Sequence, residues 1–206
     1  FPNMKRRQPI FRRRARIFDE ARELIALGSP ETIAEGLDLL RAEDLHTTER
    51  GSELAYAALE IRRIVYPYLE SPDYSVVLPS TSIYGELLSK VSNGVYPEVK
   101  SEKADFMTLL LSSLTLLTTE DEQQYERAAE AARQVYSINS DSVLARYLRA
   151  VVYRNEGQTG RAEEMFLSVS EEDSSCYPAL LAAVEICELR GRMRVGLPYA
   201  ELLEER

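Results

Sequence analysis

Two glycines, Gly157 and Gly191, stand 34 residues apart, each between two stretches of helical spacing. No other feature of the chain constrains its fold as much. A helix–turn–helix unit of that length cannot bury both of its faces alone, so such units persist as stacked copies. Other positions keep the same step. Ala128, Ala162 and Gly196 are small, Val135, Val169 and Leu203 are apolar, and Leu116, Ala150 and Val184 are apolar. The junctions between units read "SINSDS" (137–142) and "SEEDSS" (170–175).

Packing explains the residue types. Two helices approach to about 8 Å only where small side chains meet. Ala162 is the expected crossing point, faced by Ala150, with Tyr153 and Phe166 filling the wider space on either side. Gly157 and Gly191 supply left-handed helix ends that let the chain reverse within a few residues.

The rest of the chain is also helical in pattern. Residues 10–27, 31–45 and 51–70 each carry an apolar stripe at helical intervals. The first two are separated by Gly28 and "SPE", a stop followed by a cap and a proline. Residues 71–81, "SPDYSVVLPST", read as a loop or a short extended piece. A helix over 81–94 and a second link over 95–102 follow, so 71–102 is the least regular region. Helices are expected over 103–118, 121–138, 141–157, 159–170, 175–191 and 193–205. The organisation is thus a basic N-terminal arm or helix start (1–16), helical pairs over 10–70 packing on the repeats, an irregular link (71–102) and three helix pairs (103–206), all in one domain.

The pattern resembles the tetratricopeptide repeat family. Residues 143–176 carry the resemblance best, with Ala150, Tyr153, Gly157, Ala162 and Phe166 at the family's signature positions. In 177–206 Gly191 matches, Cys187 replaces an aromatic, and Gly196 and Ala200 stand for an alanine and an aromatic. In 109–142 Ala128 matches and Gln123 replaces the turn glycine. The resemblance implies an all-α fold in which antiparallel helix pairs stack as a right-handed superhelix. It also implies a partner-binding groove lined by the first helix of each pair. Leu110, Ser113 and Leu117 would face that groove from one pair, Leu144, Tyr147, Val151 and Arg154 from the next, and Leu181, Glu185 and Glu188 from the last. Such a mixture suits an amphipathic helix or an extended peptide. Leu148 and Ala182 stand where a carboxylate clamp would need asparagine, and Lys103 is the only lysine after residue 100, so a clamp on a peptide C-terminus is not expected.

Charge narrows the partners. The formal net charge is −9, yet Lys5, Arg6, Arg7, Arg12, Arg13, Arg14 and Arg16 fall in the first 16 residues without an acid. The remainder is therefore more acidic than the total suggests. An acidic body disfavours broad binding to nucleic acid or anionic membrane. The basic start is expected to be a solvated tail, or a first helix whose arginines pair with the body. Contact of this arm with nucleic acid is the alternative.

Catalytic signatures are missing from the sequence. His46, in "EDLHTTE", is the one histidine and is expected at a helix end in a surface or capping role. No His/Cys cluster has metal-ligand spacing, and no glycine loop would cradle a phosphate. Cys176 and Cys187 would lie about 16 Å apart on one helix, too far to pair. Glu163-Glu164 and Glu171-Glu172-Asp173 are expected as solvated faces and a turn. The best candidate for a membrane span, "FMTLLLSSLTLL" (106–117), is broken by Ser and Thr and falls short of the roughly 20 residues a span needs.

The expectation is a non-catalytic scaffold or adaptor for a protein or peptide, without cofactor or metal; homo-oligomerisation stays open. An envelope lipoprotein-type repeat protein acting in assembly or transport is the alternative. Compartment depends on the start: cytoplasmic if Met4 is native, periplasmic or lipid-anchored if a leader preceded it. If Ala162 lies at a helix crossing, Ala162→Leu overpacks it and lowers stability by roughly 1–3 kcal/mol. A melting temperature equal to that of the parent chain would remove Ala162 from the crossing.

Overall fold

Short polar residues start most of these helices by accepting an orphan backbone N–H. In the computed structural model, which describes residues 4–70, 74, 76, 82–98 and 105–204 and side chains from Arg12 onward, six such caps are built. Ser29, Thr48, Ser82, Asp105, Asp121 and Ser142 each accept from the N–H three residues on. The described residues form α1 (Met4–Leu27), α2 (Pro30–Ala42), α3 (Glu49–Val65), α4 (Ile83–Ser92), α5 (Phe106–Ser113), α6 (Glu122–Ile138), α7 (Val143–Asn155), α8 (Thr159–Glu172), α9 (Tyr177–Leu189) and α10 (Met193–Glu204). Short 3₁₀ turns at Leu45–Thr47 and Leu114–Leu117 precede α3 and follow α5. The chain is all-α, with no strand among the described residues. None of its described helices is long and apolar enough to cross a membrane.

Boundaries differ from the sequence pattern in instructive places. The first helix begins at Met4 rather than residue 10, so the basic stretch is helical. The third does not run to residue 70; it stops at Val65, near Pro67 as the proline leads one to expect, with Tyr66 as its C-cap. The apolar run 106–117 is not one helix. It tightens to 3₁₀ at Leu114, where Ser112 and Ser113 hydroxyls donate back to the Thr108 and Leu110 carbonyls. Most of 71–81, and residues 99–104, lie outside the described residues.

Consecutive helices pack as hairpins: α1 on α2, α3 on α4, α5 on α6, α7 on α8 and α9 on α10, with α8 also against α9 and α6 against α7. Gly157 and Gly191 occupy equivalent bends. Their φ angles are +76° and +66°. At each bend the glycine N–H donates three residues back and the next N–H donates five residues back: to Arg154 and Tyr153 in one case, to Glu188 and Cys187 in the other. A Cβ at either glycine would meet nothing within 4 Å. These two positions need glycine for backbone conformation alone.

Gly28 is held differently. Its φ is +82°, and a Cβ there would come 2.4 Å from the Leu144 Cβ of α7. The bend between α1 and α2 thus lies directly on α7. The carbonyls at the end of α1 find their donors on distant elements. The Ser142 hydroxyl donates to the Ala26 carbonyl at 2.8 Å. The Tyr66 hydroxyl donates to the Gly28 carbonyl at 2.6 Å and lies 3.9 Å from the Cys176 sulfur. The Ser175 hydroxyl donates to the Glu31 carboxylate at 2.6 Å, and the Tyr68 and Tyr177 rings pack with centroids 4.5 Å apart. One apolar core runs through both halves, from Ala21, Ile25 and Ile33 to Phe166, Ala183 and Ile186.

Tyr66 is 1% exposed, so removing its hydroxyl strands a buried carbonyl. Tyr66→Phe is expected to cost about 1–3 kcal/mol, read as a lower urea midpoint at unchanged slope. A midpoint that does not move would show that Gly28 finds another donor.

Candidate partner-binding surface

The expected groove residues divide into two sets. Leu110, Ser113, Leu144, Tyr147 and Val151 are buried, and Leu117 is half-buried. The α1–α2 bend lies on this face at Leu144, and the Tyr66 hydroxyl at the end of α3 holds the bend there. Arg154, Leu181, Glu185 and Glu188 are exposed, and Arg154 lies 3.8 Å from the Glu185 carboxylate. Among these residues the face is therefore closed along α5 and most of α7 and exposed from Arg154 to α9.

The residues expected to pack the hairpins also have definite places. Ala128, Ala150, Ala162 and Phe166 are fully buried. Gly196 is buried against Cys187, whose Cβ would lie 3.0 Å from an added Cβ. Tyr153 is only half-buried, and the Arg149 guanidinium sits over its ring at 4.1 Å. Phe166 packs on Tyr147, with ring centroids 6.0 Å apart. Gly157 and Gly191 are exposed at their bends.

A larger concavity was not foreseen from sequence. A crevice of about 800 Å³ runs between α1, the start of α5 and the α6–α7 turn. Leu24, Leu27, Phe106 and Ile138 give it apolar wall, and the Ile138 side chain is 59% exposed. Ile138 shares this wall with the half-buried Leu24, Leu27 and Phe106. Asp19, Glu20, Glu23, Glu35 and Asp141 surround it. Among the described residues Arg22 is the one cation lining it, and its guanidinium already pairs with Asp105 at 2.9 Å. The crevice thus combines an apolar floor with a negative rim. Both halves of the chain build it: Leu24 lies on the first helix, Ile138 at the end of the sixth.

The basic end of α1 leads into this rim. Arg13 pairs with Glu43 at 2.6 Å, and Arg14 donates to the Glu43 carbonyl at 3.3 Å. Arg12 and Arg16 are exposed. The sign of the helix surface changes from positive to negative between Arg16 and Asp19.

Glu163 corrects an expectation. Sequence placed it on a solvated face, but its side chain is 1% exposed and is clamped by two arginines, Arg190 directly and Arg192 at 2.7 Å. Both arginines flank the Gly191 bend, so one carboxylate on α8 holds the turn of the next hairpin. The signal was the basic stretch "RGRMR", legible only once that turn is known to fold back on α8. Its neighbour Glu164 is exposed, as expected. The cluster ties the Gly191 turn to α8, and desolvation of the buried carboxylate offsets much of its attraction.

Groups that could do chemistry are few. His46 is half-buried, with Nδ1 3.4 Å from the Leu40 carbonyl and its ring edge-on to Tyr74. No group of three His, Cys, Asp or Glu side chains among the described residues is placed to hold a metal ion. Both cysteines are free and buried. Burial pushes the Cys176 thiol up to about 12. Cys187 is also raised, by burial and then by the Glu163 carboxylate beside it. Neither thiol is poised as a nucleophile.

Neither a family model, nor a curated protein, nor a solved structure matches this chain.

The folded state holds both thiol protons. Their contribution to stability is complete below the ordinary thiol value of 9.0 and is lost as pH rises above it, for Cys176 toward about 12. Native protein at pH 8 is therefore expected to resist a disulfide thiol reagent, and both thiols should react once guanidinium unfolds it. Fast reaction of either in the native state would contradict its burial.

Proposed function

We propose that this chain is a non-catalytic helical scaffold whose hairpins belong to a right-handed superhelix of tetratricopeptide type, and that it holds a protein or peptide segment. The acidic, apolar-floored crevice beside α1 and α5 carries this proposal. Its chemistry suits a segment with apolar residues on one face and lysine or arginine on the other. Apolar side chains would cover Leu24, Phe106 and Ile138, and the cations would meet Glu20, Glu23 and Asp141. Rim charges of this kind act chiefly on encounter rate and on the choice of partner. The superhelical arrangement draws its support from the matched bends at Gly157 and Gly191 and the small buried residues Ala128, Ala162 and Gly196. The exposed set Arg154, Leu181, Glu185 and Glu188 extends the same kind of surface toward α9.

A synthetic amphipathic peptide with leucines on one face and lysines on the other tests the proposal by fluorescence anisotropy. Binding should weaken with salt, and Glu20→Lys/Glu23→Lys should weaken it about tenfold or more, on the scale of 1.4 kcal/mol per decade. Equal affinity for the variant would end this assignment of the crevice.

A further inference from the structure

The last hairpin presents a face that nothing else in the described structure covers. α10 packs on α9. Its inner side is Gly196, flanked by half-buried Val195, Tyr199, Ala200 and Leu203. Its outer side carries Arg194, Leu197, Pro198 and Glu201, all exposed, with Leu197 at 53%. These four stand at i, i+3, i+4 and i+7, the spacing that places side chains in one stripe along a helix.

Charge along this stripe runs opposite to what the helix itself favours. A helix prefers acids in its first turn and bases in its last. Here Arg194 lies in the first turn of α10, while Glu201 and Glu204 lie near its end. Neither Arg194 nor Glu201 makes a hydrogen bond or ion pair that would account for this order, among the described residues. Elsewhere on this hairpin the arginines are used: Arg190 and Arg192 both hold Glu163. Arg194 and Glu201 cannot reach each other within one helix, being seven residues and about 10 Å apart along the axis.

We propose that this stripe is a homotypic interface, in which α10 pairs antiparallel with α10 of a second copy about a two-fold axis between Leu197 and Pro198. The stripe is a charge palindrome about that point, with Arg194 and Glu201 equidistant from it. Antiparallel pairing therefore sets each Arg194 opposite Glu201 of the second copy. Leu197 meets its own equivalent on one side of the axis, and Pro198 does so on the other. An isologous contact needs self-complementarity of this kind. Met193, 48% exposed, and Leu202, 36% exposed, extend the apolar contact on either flank. The pairing also gives each misplaced charge a partner and opposes the two helix dipoles. A parallel arrangement would bring like charges together.

A single pair of 12-residue helices covers less than a standard interface, so the dimer belongs to the weak, concentration-dependent class. This inference does not rest on the crevice or on any peptide partner.

Sedimentation velocity of the full chain, from about 1 µM to about 500 µM, tests it. The parent chain should pass from monomer to dimer within that range. Arg194→Glu and Glu201→Arg should each raise the dissociation constant about tenfold or more, because each sets two like pairs across the axis. The double variant Arg194→Glu/Glu201→Arg should restore dimerisation, since both pairs are again opposite in sign. Leu197→Glu should abolish it. Matching far-ultraviolet circular dichroism and melting temperature would show that the variants fold. A chain that stays monomeric throughout overturns the proposal. So does a dimer indifferent to the single reversals, and so does a double variant that fails to recover.

Discussion

The structure depends on the end of α1 being buried without being left unsatisfied. A helix terminus leaves carbonyls without intrahelical partners, and burying such groups unpaired is costly. Here the Ala26 carbonyl accepts from Ser142 and the Gly28 carbonyl from Tyr66. The donors come from the cap of α7 and the end of α3, each far away in sequence. Gly28 has no side chain to hold the bend away from Leu144. Because these bonds join residues from 26 to 142 and beyond, the first hairpin is bound to the later ones. It does not hang from them as an appendage.

That seat decides which surfaces remain open. The α1–α2 bend sits on Leu144 of α7; Leu110 and Tyr147 are interior as well, and exposure begins toward Arg154 and α9. The same placement creates a new concavity, because the flank of α1 now stands beside Phe106 and Ile138. The acidic side chains of α1 that line it belong to a helix whose other end is basic. The sign change along α1 therefore becomes a property of the surface.

The later hairpins are tied by a second device. Glu163 reaches the arginines on both sides of Gly191, so a left-handed bend and a buried carboxylate together fix how α9 and α10 follow α8. Small residues allow close approach, and the ion cluster ties the Gly191 turn to α8. Past that point α10 has no further helix on its outer side among the described residues, and its stripe of Arg194, Leu197, Pro198 and Glu201 is exposed.

Most helix positions, the capped start of the second helix and the two exposed bends were legible in the sequence, because each depends on a few neighbouring residues. A serine before an apolar stripe caps a helix, and a glycine after one reverses it. The small residues Ala150 and Ala162 were recognisable as interior for the same local reason. Tyr66 as a tie, Glu163 as a buried anion and Ile138 as crevice wall were not recognisable. Each depends on residues more than 20 positions away. Likewise the groove inferred from one face of α7 could not show that Gly28 would occupy it. Local pattern dictated that the chain is a series of helical hairpins. Only the tertiary structure decided which faces those hairpins hide, since burial is set by what packs opposite a residue and not by its neighbours in the chain.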